Sequence, residues 1–228
     1  DHVTHMVALH ESNRQLVFSD VVAKQITHSH AANMFNLLRD SQFRYEIIRL
    51  CALWEPPSSD RESISTIAAL VNSPAVVELV AEEARASRLK MGSHILGNPT
   101  SDERELIERL STRRVIEEAE EWAARQCMQV RQARRNTCRV RASVRLRALQ
   151  DFRHRHLAHS LSEGAKRKAP DTNPRYGDER QLLNISIKTV DLFYLGLCST
   201  GFMWGDLREM HQRDADLFWR SVKVEALG

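Results

Sequence analysis

A stretch of nine residues, FRHRHLAHS at positions 152–160, concentrates the side chains of this chain that are best suited to chemistry. It holds three histidines, His154, His156 and His159, beside two arginines, Arg153 and Arg155. An imidazole exchanges protons near neutral pH, whereas a guanidinium stays charged and holds phosphate oxygens through a planar fork. Three interpretations compete: a metal site, a phosphate-handling site, or a solvated basic surface.

The metal interpretation is the weakest of the three. His154 and His156 are two residues apart, so on a helix they point to different sides. No cysteine lies near them, and the adjacent arginines repel a divalent cation. The cysteines Cys51, Cys127, Cys138 and Cys198 are far apart and form no CxxC pair. We therefore expect neither a metal site nor a disulfide framework, and we predict no cofactor.

A phosphate-handling site would suit cleavage of RNA. An arginine binds a phosphate oxygen, and a histidine can remove a proton from one oxygen and return one to another. RNA supplies its own nucleophile, the ribose 2′-OH. Such an enzyme needs neither a metal ion nor a nucleophilic protein side chain. The competing interpretation of Arg153 and His159 is a polar helix end that packs against the following linker.

The pattern of apolar residues predicts a helix over 138–160 that would carry these side chains. One stripe of this helix contains Val140, Val144, Ala148, Leu149 and Phe152. His156 and His159 continue that stripe at spacings of four and three residues. We therefore expect His159 to lie at the edge of the buried face, on the same side of the helix as Arg155.

The rest of the chain also reads as helices, and no convincing strand is found, so the predicted fold class is all-α. The predicted helices cover 19–54 with a break near Ser41, about 60–71 with Asp60 or Ser63 as its cap, and Pro74 to about Lys90. A long helix begins near Ser101 and passes Arg135, with a weak point at Asn136–Thr137. Two more helices follow, one that begins near Glu179 and one that covers about 205–222. The stripe from Leu183 to Leu197 suits either core packing or a dimer seam.

The length of 228 residues suits one domain, or one domain with an appendage. We predict a helical bundle over 1–161 that ends in the Arg/His stretch, a polar linker over 162–178, and C-terminal helices over 179–228 that pack on the same domain. No run approaches the ~20 apolar residues of a membrane span, so we expect no membrane association. Unpaired cysteines and no visible secretory signal indicate a cytoplasmic protein.

Charge is distributed unevenly along the chain, although the formal net charge is only +3. Residues 101–121 are rich in Asp and Glu, whereas residues 131–155 contain many arginines and the single acid Asp151. This asymmetry suits an anionic partner, or two faces that pair with each other. If the partner is RNA, we expect Arg145 and Arg147 to contact its backbone with little sequence preference, because no aromatic residues are interleaved with these arginines.

FRHRHLAH resembles the motif of the HEPN superfamily (higher eukaryotes and prokaryotes nucleotide-binding): an Arg, a polar residue, and a His after four to six intervening residues. Here Arg153 is followed by His154, and Ala158–His159 ends the motif after five intervening residues. Three further segments resemble the abortive-infection AbiU-like branch of that superfamily. These are ALWEPPSSDRESIS (52–65), PRYGDERQLLNISIKTVDLF (174–193) and DLREMHQRDADLFW (206–219).

The resemblance implies a helical homodimer in which two motifs share one cleft, and a metal-independent endoribonuclease of phage defence or toxin–antitoxin systems. Arg153 would then bind the phosphate and His159 would act as general acid and base. His154, Arg155 and His156 would orient them or contact RNA. An antitoxin protein is a candidate partner. Some HEPN toxins carry a Tyr two residues after the His as an acceptor of AMP, but this chain has Leu161.

Two other functions stay open at this point. A non-catalytic HEPN module would bind a nucleotide, a nucleic acid or a protein partner without cleaving it. A helical adaptor would have no role with nucleic acid. Replacing Arg153 and His159 distinguishes the non-catalytic module from an enzyme. A binding module tolerates loss of His159 but loses RNA affinity when the arginines of 131–147 are neutralised.

Overall fold

The computed structural model describes residues 2–19, 31–91, 101–154 and 174–222, and within these ranges the chain is helical with no strand. The helices are α1 (His2–Phe18), α2 (Ala31–Leu53), α3 (Ile64–Leu70), α4 (Pro74–Met91), α5 (Ser101–Arg141), α6 (Val144–Arg153), α7 (Asp178–Cys198) and α8 (Trp204–Ser221). The predicted all-α fold is confirmed. The predicted division into a bundle, a linker and C-terminal helices stays a prediction.

Local signals in the sequence explain where several helices begin. The Ser63 hydroxyl accepts a hydrogen bond from the Thr66 N–H at 3.1 Å and caps α3, as predicted. Pro74 opens α4, where its missing N–H costs nothing. The Ser143 hydroxyl accepts from the Leu146 N–H at 3.2 Å and caps α6. This last cap determines where the helix that carries Arg153 starts.

The boundary between α5 and α6 corrects the predicted helix over 138–160. Asn136 and Thr137 lie inside α5, which continues to Arg141, and the chain turns at Ala142 before the Ser143 cap. Val144 is therefore exposed rather than part of the buried stripe. Similarly, α2 runs through Ser41 without the predicted break.

The core of the bundle lies where α2, α5, α6 and α7 meet. Trp54, at the end of α2, is buried, and its indole N–H donates to the Ser186 hydroxyl of α7 at 2.9 Å. Leu183 and Val190 are buried in the same core. The apolar stripe of α7 is thus mainly an internal packing surface, although its member Tyr194 is exposed.

Helices α5 and α7 approach each other closely at Gly196. A Cβ atom on this glycine would lie 2.7 Å from the Val130 side chain and 3.0 Å from the Gln126 carbonyl oxygen. The backbone of α5 cannot move aside as a flexible side chain could. Gly196 therefore permits the close approach of α5 and α7 at this point.

Helix α1 packs on α2, α7 and α8, and a buried polar cluster of His10, Asn13 and Glu46 joins it to α2. The His10 Nδ1 lies 2.6 Å from the Glu46 Oε1, and the Asn13 amide donates to the Glu46 Oε2 at 2.7 Å. Hydrogen bonds of this kind offset the cost of burying a carboxylate. The buried polar cluster thus fixes the position of α1 against α2.

No single helix in the described part of the chain is long and apolar enough to cross a membrane. Only α3 and α4 taken together meet that length and composition, and they are bent by 87° relative to each other.

Candidate functional site

Arg153 is the last residue of α6, and the packing of this helix sets its position. Leu146, Ala148 and Leu149 are buried against α2 and α7. Helix α6 therefore ends beside the C-terminal end of α2. This arrangement brings Arg153 to the segment that follows Trp54, although 98 residues separate Arg153 from Glu55 in the sequence.

Glu55 holds the guanidinium of Arg153. The Arg153 Nη1 donates to the Glu55 Oε1 at 3.0 Å, and the two side chains are 18% and 26% exposed. The pair is therefore partly protected from solvent but not sealed, so a small anion can reach it. Of the five N–H donors of the guanidinium, the Nη1 alone forms a hydrogen bond to a described carboxylate.

A second arginine binds the other oxygen of the same carboxylate. The Arg61 Nη1 donates to the Glu55 Oε2 at 2.8 Å. Pro56 and Pro57 follow Glu55 directly, and proline restricts the backbone of the residue before it. Arg153, Glu55 and Arg61 form what we call the Arg–Glu–Arg cluster, which carries one net positive charge.

His154 continues the helical backbone beyond Arg153, and its side chain is exposed. Its Nε2 lies 3.5 Å from the Arg153 Nη2, at the limit of a hydrogen bond. The described structure thus places two of the predicted site residues side by side. The predicted residues Arg155, His156 and His159 lie outside the described residues.

The two other predicted RNA contacts are separated from Arg153. Arg145 and Arg147 lie in the first turn of α6, about 9–12 Å along the helix axis from Arg153. Arg145 donates to Asp178 at 2.8 Å and so is engaged within the protein, whereas Arg147 is exposed and pairs with no described carboxylate. Arg147 therefore fits a backbone contact better than Arg145 does.

The thiol of Cys51 lies near the Arg–Glu–Arg cluster, one helical turn before Glu55. Burial raises the pKa of the Cys51 thiol to about 12, although the positive charge of Arg153 acts in the opposite direction. The nucleophilic form of cysteine is the thiolate. Cys51 is therefore a packing residue at neutral pH rather than a nucleophile.

The acids of α5 that form described ion pairs do so with arginines of α4 and of α5 itself. The acidic stretch and the arginines from Arg131 to Arg141 lie on one continuous helix, so these acids find partners on α4 and within their own turns. Among the described residues the ion pairs are Arg85–Glu120, Arg88–Glu118, Arg113–Glu117 and Arg114–Glu118. Among the described residues, none of these glutamates pairs with an arginine of 131–155.

The arginines beyond that region stay accessible. Exposed side chains without a carboxylate partner in the described structure are Arg131, Arg135, Arg139, Arg141 and Arg147. They form a basic surface along the C-terminal part of α5 and the first turn of α6. We call this set the basic surface.

Sequence reasoning missed Glu55 and Arg61. Glu55 ends a predicted helix and precedes two prolines, a context in which a carboxylate is usually only a surface residue. Nothing in its local pattern shows that the end of α6 packs beside it. Elsewhere in the described part of the chain, no three His, Cys, Asp or Glu side chains converge in a geometry that could hold a metal ion.

Comparison with known families agrees with the fold and the motif. The family model HEPN_AbiU2, described as AbiU2, matches residues 2–218. No significant match is found to a curated protein or to a solved structure. The matched range contains the FRHRHLAHS stretch and every member of the Arg–Glu–Arg cluster. The chain therefore belongs to the AbiU2 family, an abortive-infection branch of the HEPN superfamily.

Proposed function

We propose that this HEPN protein is an endoribonuclease that cleaves single-stranded RNA by attack of the ribose 2′-OH, with no metal ion in the reaction. The observation that carries the proposal is the position of Arg153. It stands at the end of a well-packed helix, is held on one side by Glu55, and keeps part of its guanidinium accessible.

In this mechanism Arg153 binds a non-bridging oxygen of the scissile phosphate and offsets the negative charge that develops there. His159 accepts the proton of the 2′-OH as that oxygen bonds to phosphorus. The bond from phosphorus to the 5′-oxygen breaks, and the departing oxygen takes a proton from an imidazolium. The products are a 2′,3′-cyclic phosphate and a 5′-OH.

We propose that the active form is a homodimer that brings two copies of FRHRHLAHS to one cleft. One histidine could then act as base while its partner acts as acid. The exposed His154 would orient the phosphate, together with Arg155 and His156, which lie beside it in the sequence. The basic surface, including Arg147, would hold the RNA backbone, and an antitoxin protein in the cytoplasm would restrain the enzyme.

Cleavage of a labelled single-stranded RNA in the presence of a chelator tests this proposal. We expect Arg153→Ala and His159→Ala each to lower the rate by about 10²–10⁴-fold, the usual contribution of an acid–base group. Arg113→Ala is the control, because it removes an exposed arginine of α5 that pairs with Glu117 and belongs to neither the Arg–Glu–Arg cluster nor the basic surface. It should leave the rate within a few-fold. Cleavage that needs an added metal ion, or that survives loss of His159, would contradict the mechanism.

A non-catalytic RNA-binding module is the second candidate. The Glu55–Arg153 ion pair supports it, because a guanidinium already held by a carboxylate is typical of a structural contact. This candidate predicts RNA binding that is indifferent to His159 and falls when the arginines of the basic surface are replaced. The same variants, measured for binding as well as cleavage, separate the two candidates.

A further inference from the structure

A groove of about 570 Å³ opens between α3, the N-terminal end of α1 and the end of α7. Most of its wall is apolar and aromatic. The residues that matter here are Ile67, Leu70, Tyr194, Phe202, Trp204 and Arg61, and we call this site the aromatic groove. Its volume and composition fall within the range of sites that bind small organic groups.

Two aromatic residues of the groove, Phe202 and Trp204, are anchored by hydrogen bonds to Asp191. Asp191 accepts hydrogen bonds from the Phe202 N–H at 3.3 Å and from the Trp204 indole N–H at 3.1 Å. The rings of Phe202 and Trp204 lie 4.5 Å apart between centroids, tilted by 44°. A fixed pair of rings loses little conformational entropy when a flat group stacks on it.

Several side chains of the groove are exposed to a large extent in the described structure. Tyr194 and Phe202 are 44% and 43% exposed, and Leu70 is 68% exposed. A patch of this kind on one wall of a cleft marks a binding surface more often than a chance exposure. The exposed flat rings favour a planar ligand.

The aromatic groove is continuous with the Arg–Glu–Arg cluster. Arg61 lines the groove and also donates to the Glu55 carboxylate that holds Arg153. The guanidiniums of Arg61 and Arg153 thus contact opposite oxygens of one carboxylate. Arg61 is therefore the residue that connects the aromatic groove to the carboxylate that holds Arg153.

We propose that the aromatic groove binds an unpaired nucleobase of single-stranded RNA, adjacent to the phosphate held at Arg153. This inference rests on the proposed function because it takes RNA as the ligand. The base stacks on Tyr194 and Phe202, and Arg61 faces the phosphate that connects this nucleotide to the scissile one. Stacking on aromatic rings accepts any base, so the groove selects unpaired strands over duplexes rather than one sequence.

The charges at the rim suit a nucleotide better than an apolar peptide. Arg61 lies on the rim, and Arg49 contacts His2 there, with its Nη2 2.8 Å from the His2 Nδ1. Glu62 is the opposing carboxylate, and it already bonds to the other ring nitrogen of His2 at 3.1 Å. Permanent cations beside an apolar wall match a base with a phosphate attached.

Equilibrium binding tests the inference on the full chain carrying His159→Ala, so that the RNA stays intact. The probes are a fluorescein-labelled oligouridylate and a strand of the same length in which abasic sites replace the bases. We expect Tyr194→Ala and Phe202→Ala to raise the Kd for oligouridylate by about fivefold to a hundredfold. Tyr194→Phe, which keeps the ring, and Phe218→Ala, which removes an exposed ring from α8 outside the groove, should bind as the parent does.

A second pair of variants tests the same assignment with substitutions at exposed positions, where misfolding is not expected. Leu70→Glu places a charge at an exposed position in the groove, and Leu79→Glu places the same charge at an equally accessible position on α4 outside it. We expect only Leu70→Glu to weaken binding of oligouridylate. Neither alanine variant should change binding of the abasic strand.

Equal Kd values for the base-containing and abasic strands, or for the groove variants and their controls, overturn the groove assignment. Cleavage by the wild-type chain in a parallel assay reports on the nuclease proposal separately. If the wild-type chain cleaves RNA but these Kd values are equal, only the groove assignment is overturned. Base-dependent binding without cleavage overturns the nuclease and leaves the groove as a base-binding site.

Discussion

The buried polar cluster and the Arg–Glu–Arg cluster use the same ingredients in opposite surroundings. Each has one glutamate whose two oxygens are held by nitrogen donors of two other residues. His10, Asn13 and Glu46 are all at most 3% exposed. Glu55 and Arg61 are open to solvent to the extent of 26% and 50%.

The difference lies in what can replace the protein partner. In the buried polar cluster nothing but protein can reach Glu46, so its hydrogen bonds contribute to the fold. In the Arg–Glu–Arg cluster a phosphate can approach the guanidiniums and exchange with the carboxylate. Access to solvent, rather than residue type, distinguishes a structural cluster from a candidate site in this molecule.

The largest effect should come from removing the centre of the buried polar cluster. Glu46→Ala leaves the buried His10 without its acceptor and Asn13 with the Gln42 carbonyl oxygen alone, and we expect the free energy of unfolding to fall by about 3–5 kcal/mol. Urea denaturation followed by circular dichroism measures it. Glu62→Ala is the control, because Glu62 forms the same kind of His–Glu contact, with His2, at the surface. Glu62→Ala should lower the free energy of unfolding by less than about 1 kcal/mol. Equal losses of stability from Glu46→Ala and Glu62→Ala would contradict the difference between the buried and the exposed glutamate.

A second carboxyl near the buried polar cluster should make stability depend on pH. Burial raises the pKa of Glu179 above its ordinary value of 4.5, and the charge of Glu46 raises it further. The folded chain thus keeps a proton that the unfolded chain has lost, and stability falls as pH rises from 4.5 through the raised pKa. Thermal unfolding across pH 4 to 8 measures this slope.

Glu179→Gln removes the titrating group while keeping an acceptor for the Gly177 N–H, which lies 3.1–3.2 Å from the Glu179 oxygens. Over that pH range the free energy of unfolding should fall further for the wild type than for the variant. The difference should be about 1.4 kcal/mol for each unit by which the pKa of Glu179 is raised. A variant as pH-sensitive as the wild type would show that Glu179 is not the group responsible.

A smaller effect on stability, with a gain in binding, should follow from Glu55→Gln. Exposed ion pairs contribute less than about 1 kcal/mol, so the fold should tolerate the change. The Arg–Glu–Arg cluster gains one net positive charge, and we expect its affinity for single-stranded RNA to rise about two- to fivefold. Fluorescence anisotropy at fixed salt measures it.

Glu117→Gln is the matched control for this change. It removes a carboxylate from an Arg–Glu pair on α5, far from the cluster in sequence. The control should change affinity less than Glu55→Gln does. Equal gains would mean that only overall charge matters. A loss of several kcal/mol from Glu55→Gln would place this glutamate with the buried polar cluster instead.

The smallest effect should be on the salt dependence of binding. Each phosphate contact removed from the basic surface lowers the slope of log K against log salt by about 0.7 for a single strand. We therefore expect Arg139→Gln and Arg141→Gln each to reduce the slope, as measured by anisotropy titrations at several salt concentrations. Arg113→Gln is the control on the same helix, since Arg113 already pairs with Glu117. An equal change in all three would argue against a defined RNA path.

Most helices could be predicted from the sequence, but of the residues that contact one another at the candidate site only one partner could be. Ser63, Pro74 and the periodic apolar pattern act locally, so the starts of α3 and α4 and the extent of α8 could be anticipated. The turn at Ala142 was missed, because it contains neither Gly nor Pro and depends on how Leu146 and Leu149 pack.

The same limit applies to the candidate site. Arg153 could be found from its neighbours in the sequence, because a local motif surrounds it. Glu55 and Arg61 could not, because what makes them significant is the tertiary approach of α6 to the end of α2. The aromatic groove also depends on contacts between residues that are distant along the chain.

The continuous helix α5 has a consequence for how the molecule meets a polyanion. Its 41 residues span about 60 Å, with Glu117, Glu118, Glu120 and Glu121 near the middle and the arginines of the basic surface toward one end. Such a rod has a permanent charge separation, and the field of an RNA strand exerts a torque on it. If RNA is the ligand, as we propose, we expect the protein to approach it with its arginine end first, so that productive encounters become more frequent than its net charge of +3 alone would give.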